Sequence, residues 1–138
     1  YFGYARSMME HGKEIPAEWI IPDRDMQSGV VKVDIDYNRM EQKPTAFVCN
    51  CDLTASEVIN CLEEQGYRVP EDVSVIGFDN YLYPGLCDVD ITTYEVDVKE
   101  MSRRAVHVLL KKIGDSHYKQ GITIVDGHVV YKNSVKAI

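Results

Sequence analysis

Val69-Pro70-Glu71-Asp72-Val73-Ser74-Val75-Ile76-Gly77-Phe78-Asp79-Asn80 carries the strongest architectural signal in the chain. Val73, Val75, Ile76 and Phe78 form a short, nearly continuous apolar run. Pro70 ends any helix before it, and the run stops at Asp79-Asn80. That is the pattern of a strand buried on both faces, in a parallel sheet flanked by helices. Gly77 marks a bend or the close approach of a neighbour. Asp79 falls just past the carboxyl end of the strand, where open α/β sheets bind ligands. Its carboxylate either accepts hydrogen bonds from a ligand or turns back to cap its own backbone.

Moving toward the N-terminus, Gly66 stops a helix that runs from Leu53 or Thr54 to Gln65. Thr54 and Glu57 have capping-box spacing, and Ala55, Val58, Ile59 and Leu62 form its apolar stripe. Thr45 to Asn50 reads as another buried strand, so strand, helix and strand make one right-handed βαβ unit. Residues 27–42 fit two patterns. Val31, Val33, Ile35 and Tyr37 alternate with polar residues as in a strand, yet Val30, Val33, Tyr37 and Met40 share a helical face. A crossover between parallel strands favours the helix, with Ser28 as its cap. Trp19-Ile20-Ile21 is expected to be a short strand between Pro16 and Pro22, and Phe2 to His11 a helix closed by Gly12.

Toward the C-terminus, Tyr81, Tyr83, Pro84 and Gly85 lie in a loop. Its aromatics either wall a ligand mouth or pack the loop down. Ile91 to Tyr94 is a short strand. Asp97 and Glu100 form a capping box for a helix through Ile113, with Val98, Met101, Ala105, Val108 and Leu109 as its apolar face. Ile122–Val125 and His128–Tyr131 flank Asp126-Gly127, a hairpin signal.

Composition bounds the function. The 138 residues are 45% hydrophobic and 27% charged, ordinary values for one globular domain. No apolar run approaches the ~20 residues of a membrane span. The net charge of -7 argues against gripping a phosphate backbone. Arg103-Arg104 and Lys111-Lys112 share one helix and read as a solvated face. Cys49, Cys51, Cys61 and Cys87 show no CxxC pair and no histidine beside them. They suggest reduced thiols in a cytoplasmic protein, with no zinc site and no cofactor. His11, His107, His117 and His128 are dispersed, and no P-loop, GxSxG or HExxH motif is present, so an enzyme is not expected. The enzymatic alternative is Mg²⁺ held by Asp52 and Asp79 at adjacent strand ends.

Three motifs then stand in register: Pro44-Thr45-Ala46-Phe47-Val48-Cys49-Asn50-Cys51-Asp52, the Pro70–Asn80 stretch, and Ile91-Thr92-Thr93-Tyr94. Together they resemble the "PTA…ND", "PEDVSVIGFDN" and "LTT" blocks of the lactose-repressor/galactose-repressor (LacI/GalR) family of bacterial transcription regulators. The resemblance runs from Gly3 to about Ser134. It implies a type I periplasmic-binding-protein-like effector domain of α/β class, with three-layer αβα lobes around a small-molecule cleft. It places residues 1–97 and 122–138 in the C-terminal lobe and 98–121 in the N-terminal lobe, and it also favours a helix over 27–42. DNA contact is expected only through a helix-turn-helix headpiece outside these residues. A fragment of a periplasmic sugar-binding protein of an ABC transporter is the alternative with the same fold.

Residue by residue, Asp79 matches the family's ligand-binding aspartate, and Asn80 follows it as a structural neighbour. Cys51 stands where many members carry a ligand-bonding asparagine. Arg24, or its neighbour Asp25, falls near an aromatic that stacks on the ligand ring, which suggests a polar, acidic or phosphorylated ligand. The alternative for Arg24 is a surface ion pair with Asp23 or Asp25. Val98 matches an apolar position facing the ligand from the other lobe, or packs in a core. Asp52 matches the aspartate of "ND" and is expected to fix the strand-to-helix turn. Lys132-Asn133-Ser134 replaces the usual Arg-x-Ser. A ligand-gripping arginine of the family falls ahead of Tyr1. A sugar-like effector and a homodimer are the implied partners. The dimer would form through the Leu53–Gln65 helix or by exchange of the Asp97–Ile113 helix.

Overall fold

A computed structural model describes residues 1–137. Its centre is the expected strand: β2, Ser74–Asp79, lies between β1, Ala46–Val48, and β3, Thr92–Val96, both parallel to it. A fourth strand, β4, Gly127–Val130, pairs antiparallel with β3, so the order is β1-β2-β3-β4. Helices α1, Phe2–Glu10, α2, Asp52–Glu64, and α3, Val98–Gly114, complete the chain.

The core lies between α2 and one sheet face. The predicted stripe of Ala55, Val58, Ile59 and Leu62 is buried there, with Phe47, Val75 and Ile91. Gly77 shares the Val75 side of β2, because side chains alternate along a strand. A Cβ at Gly77 would lie 2.1 Å from Asp52 Oδ1, so close approach rather than bending explains this glycine. The opposite face is open. Phe78 is 42% exposed and stacks on Tyr94 with ring centroids 5.5 Å apart. The strand expected to be buried on both faces is therefore covered by a helix on one. The reason is that α3 and α1 bury none of their residues.

Three other local expectations are corrected. Residues 27–42 form no helix. Val33, Ile35 and Tyr37 are buried in alternation with exposed Lys32, Asp34 and Asp36, so the period-2 pattern prevailed. The Gln65 side chain stands in for a neighbouring strand, accepting from Tyr37 N at 2.9 Å and donating to Ile35 O at 2.6 Å. Trp19-Ile20-Ile21 is not a strand. Ala17–Trp19 is a 3₁₀ turn, held by Trp19 Nε1 donating to Gln42 O at 2.6 Å and by Glu18 accepting from Gln42 N at 2.9 Å. The Asp126-Gly127 hairpin also fails to form. Residues 127–130 pair with β3 instead, and Gly127 is needed because a Cβ there would strike Glu95 O and the Tyr94 ring.

Helix caps were half legible. Asp97 accepts from Glu100 N at 2.8 Å as expected, but the Glu100 side chain pairs with Arg103 and Arg104 rather than closing the box. The N-cap of α2 is Cys51, not Thr54: its sulfur accepts from Thr54 N at 3.4 Å. Ser134 is fully buried and ties two strands together, donating to Val75 O at 2.6 Å and accepting from Thr92 N at 2.8 Å. No helix among the described residues is long and apolar enough to cross a membrane.

Candidate functional site

The carboxyl ends of β1 and β2 gather most of the residues singled out from the sequence. Asp79 ends β2 with φ at 94° and Asn80 follows at 53°, so two consecutive side-chain-bearing residues occupy left-handed backbone. That conformation is costly for non-glycine residues and persists only where surrounding contacts enforce it. The enforcing contacts are visible. Asp79 Oδ1 accepts from Tyr81 N at 3.0 Å, and Asn80 N donates to Thr93 Oγ1 at 3.3 Å. Asn80 Nδ2 donates to Glu95 Oε2 at 2.7 Å, and Lys132 Nζ donates to Asn80 Oδ1 at 2.8 Å. The structure shows the capping alternative for Asp79: one oxygen caps the turn, and the other has no protein partner among the described residues.

Asp52 lies beneath this turn, 2% exposed, and accepts from Thr93 Oγ1 at 2.6 Å. Burial pushes its carboxyl upward, with the Asp79 charge adding to the effect, while the Thr93 bond and Lys132 oppose it. Asp52 thus ties the first turn of α2 to β3 through Thr93. Among the described residues no group of three or more His, Cys, Asp or Glu is placed to hold an ion.

At the end of β1, Arg24 pairs with Asp23 at 2.8 Å, and Asn50 Nδ2 donates to the same carboxylate at 2.6 Å. Arg24 and Asn50 draw the Asp23 carboxyl down to about 2. The guanidinium is engaged in the ion pair with Asp23 that the sequence offered as its alternative role. Asp25 accepts the amides of Gln27 and Ser28 and so holds its own turn. Cys51 turns its sulfur to the α2 cap. Val98 stands 62% exposed at the start of α3 and joins none of these groups. Asn50, Asp23, Glu95 and Lys132 hold these carboxyl ends together, and the sequence singles out neither Asn50 nor Glu95. The signal for Lys132 is its place in the Arg-x-Ser motif, where lysine is a mild departure from arginine.

A cavity of about 340 Å³ opens beside the outer edge of β1. Trp19, Ile21, Val33 and Val48 wall it, and Asp23 and Asn50 stand at its polar end. Asp79 lies outside it, on an open rim. The loop aromatics Tyr81 and Tyr83 are 66% and 65% exposed and pack edge to face on each other, neither lining that cavity nor seated in the core. The four cysteines are free thiols, and burial pushes Cys49 up to about 12, far from thiolate reactivity.

Residues 1–135 match the family model of the periplasmic binding protein-like domain. A relative, the HTH-type transcriptional repressor PurR of Photobacterium profundum, is 30% identical over 135 residues, which are 97% of this chain and 40% of that protein. The chain thus spans about two-fifths of the length of this relative. A LacI-type transcription regulator from Bifidobacterium animalis subsp. lactis superposes with a TM-score of 0.76 at 24% identity, over 98% of this chain and 49% of the other. A LacI family regulator from Lactobacillus casei, solved with bound sucrose, gives 0.57 at 27% identity, over 67% and 34%.

Proposed function

The chain belongs to the periplasmic binding protein-like family, and from that premise we propose that it is the effector-sensing part of a LacI-type transcription repressor. It binds a small, neutral, sugar-like molecule. Ligand occupancy then governs DNA binding by a helix-turn-helix headpiece elsewhere in the same cytoplasmic protein. One observation carries the reading. Asp79 is held in left-handed backbone at the carboxyl edge of a parallel sheet, with a carboxylate oxygen left for a ligand. A carboxylate so placed bridges adjacent hydroxyls through charge-assisted bonds. The pairing of Arg24 with Asp23 favours a neutral ligand over an anionic one. The sucrose carried by the Lactobacillus casei regulator supports the sugar class.

Asp79 sits on a rim rather than in a cleft, so a second wall must come from another lobe. Residues 98–121 belong to that lobe in this reading. In support, α3 buries nothing against the sheet of its own chain. Two copies pair through α2 or through exchanged α3 helices.

Calorimetric titration of the full-length protein with mono- and disaccharides, nucleosides and their phosphates tests the proposal. Saturable heat with a neutral sugar, abolished in Asp79→Ala, is expected. Tighter binding of a phosphate or uronate would overturn the neutral-ligand reading. Mg²⁺-dependent turnover abolished by the same substitution would overturn the sensor reading as a whole.

A further inference from the structure

We propose that Asp52 is a positioning residue for the Asp79 turn: its ionised carboxylate takes the Thr93 hydroxyl proton in a hydrogen bond and so directs a Thr93 lone pair at the Asn80 amide. This rests on Asp79 being the ligand-binding carboxylate. The geometry has three linked parts. Asp52 Oδ1 lies 2.6 Å from Thr93 Oγ1, and Thr93 Oγ1 lies 3.3 Å from Asn80 N. An ionised carboxylate only accepts, so the hydroxyl must donate to it, which leaves the hydroxyl oxygen to accept from Asn80. Asn80 then holds φ at 53° and Asp79 at 94°, the backbone that aims the Asp79 side chain. The third part is Gly77, the one residue type that leaves Asp52 Oδ1 its place.

This relay joins the first turn of α2 to the rim of the ligand site through one hydroxyl. Protonating Asp52 makes its carboxyl a second donor to Thr93 and relaxes the orientation. The charged and titratable groups facing Asp52 are Asp79 across the turn, Lys132 from the segment after β4, and the thiol of Cys49 at the end of β1. Of these, Asp79 opposes ionisation of Asp52 and Lys132 favours it.

Amide and carboxyl NMR of the 138-residue chain, titrated with acid, tests the relay. The Asn80 amide is expected to shift with the midpoint of the Asp52 side-chain carbon, above the ordinary aspartate value of 3.8. Thr93→Ser should keep that shift. Thr93→Val should remove it while Asp52 still titrates. Asp52→Asn should remove it. In the unmodified chain, an Asn80 amide silent at the Asp52 midpoint overturns the proposal without any variant. So does a response that survives in Thr93→Val. Failure of sugar binding in the calorimetric experiment leaves these shifts unaffected, so the two readings fail separately.

Discussion

Helices α2 and α3 follow the same amphipathic design and meet opposite fates. In α2, seven residues are buried, including Ile59 and Leu62 at 0% exposure. In α3, none is buried, and Leu109 and Ile113 are 58% and 73% exposed. Both helices carry an N-cap, and α3 adds Lys111 and Lys112 in its last turn, where cations complement the helix dipole. Local signals therefore do not separate them. The difference is connectivity. Helix α2 joins two adjacent parallel strands and must cross back over the sheet between them, so the strands supply its partner. Helix α3 follows β3 and leads into a segment that re-enters the sheet antiparallel, a link that needs no packed crossover. An apolar stripe states that a helix needs a partner, and topology decides whether the same chain provides it.

The sharpest way to break this comparison is to truncate one leucine in each helix. Leu62→Ala should cost about 2–5 kcal/mol, through lost burial and a residual cavity. Leu109→Ala should stay within about 0.5 kcal/mol, as at an exposed surface position. Urea unfolding of both variants decides it, and equal losses would mean that α3 is packed in solution.

Gly77→Ala probes the crowded face next. Its Cβ would collide with Asp52 Oδ1 and lie 3.2 Å from Ile91 Cγ2. Overpacking of this kind costs about 1–3 kcal/mol. Thermal unfolding should show the loss, whereas Gly3→Ala, whose Cβ meets nothing within 4 Å, should show none.

The exposed face of α3 sharpens the contrast from the other side. It should bind an apolar dye and drive association of the isolated chain, by light scattering above its 15.7 kDa mass. Leu109→Gln with Ile113→Gln should abolish both and leave unfolding unchanged. A dye-silent monomer of the unmodified chain would remove α3 exchange as a route to the dimer.

The smallest effect is electrostatic. The Asp23 carboxyl is held down to about 2 from 3.8 by Arg24 and Asn50. A depressed carboxyl contributes stability that is present above its unfolded value and lost as pH falls through its folded one. Asp23 therefore supports the fold above about pH 4 and ceases to between 3.8 and about 2. Asp52 is shifted the other way by burial, so its contribution declines as pH rises from 3.8 through its raised folded value. Stability measured against pH should lose part of its acid limb in Asp23→Asn. An unchanged limb would show that the Asp23–Arg24 pair is solvated away.

Much of the candidate site was legible because motifs at strand ends are local. Asp79 could be placed from the apolar run that stops at it, and Asp52 from the strand-to-helix turn it begins. The Arg24–Asp23 pair stood among the sequence alternatives, but the partners of Lys132 and Asn50 did not, because the fold chooses them. Lys132 reaches Asn80 across 52 positions of sequence, and Asn50 reaches the Asp23 carboxylate, which also pairs with Arg24, across 27. Helix against strand over 27–42 was undecidable from periodicity alone. Gln65, 28 residues away from Tyr37, settled it by taking up the backbone groups a helix would have used internally.

Where the parallel strands lie, which stripe of α2 turns inward and which aspartate ends the central strand can all be read along the chain. Those follow from side-chain period and from residues that stop a run, properties of a few neighbouring positions. The packed fold alone sets that, among the described residues, α3 buries none of its own and that Gly77 makes room for a buried carboxylate. It also decided that a left-handed turn at Asp79 and Asn80 is held from Thr93, Glu95 and Lys132. These depend on distances between segments far apart in the chain, set when the sheet closes its register and not before.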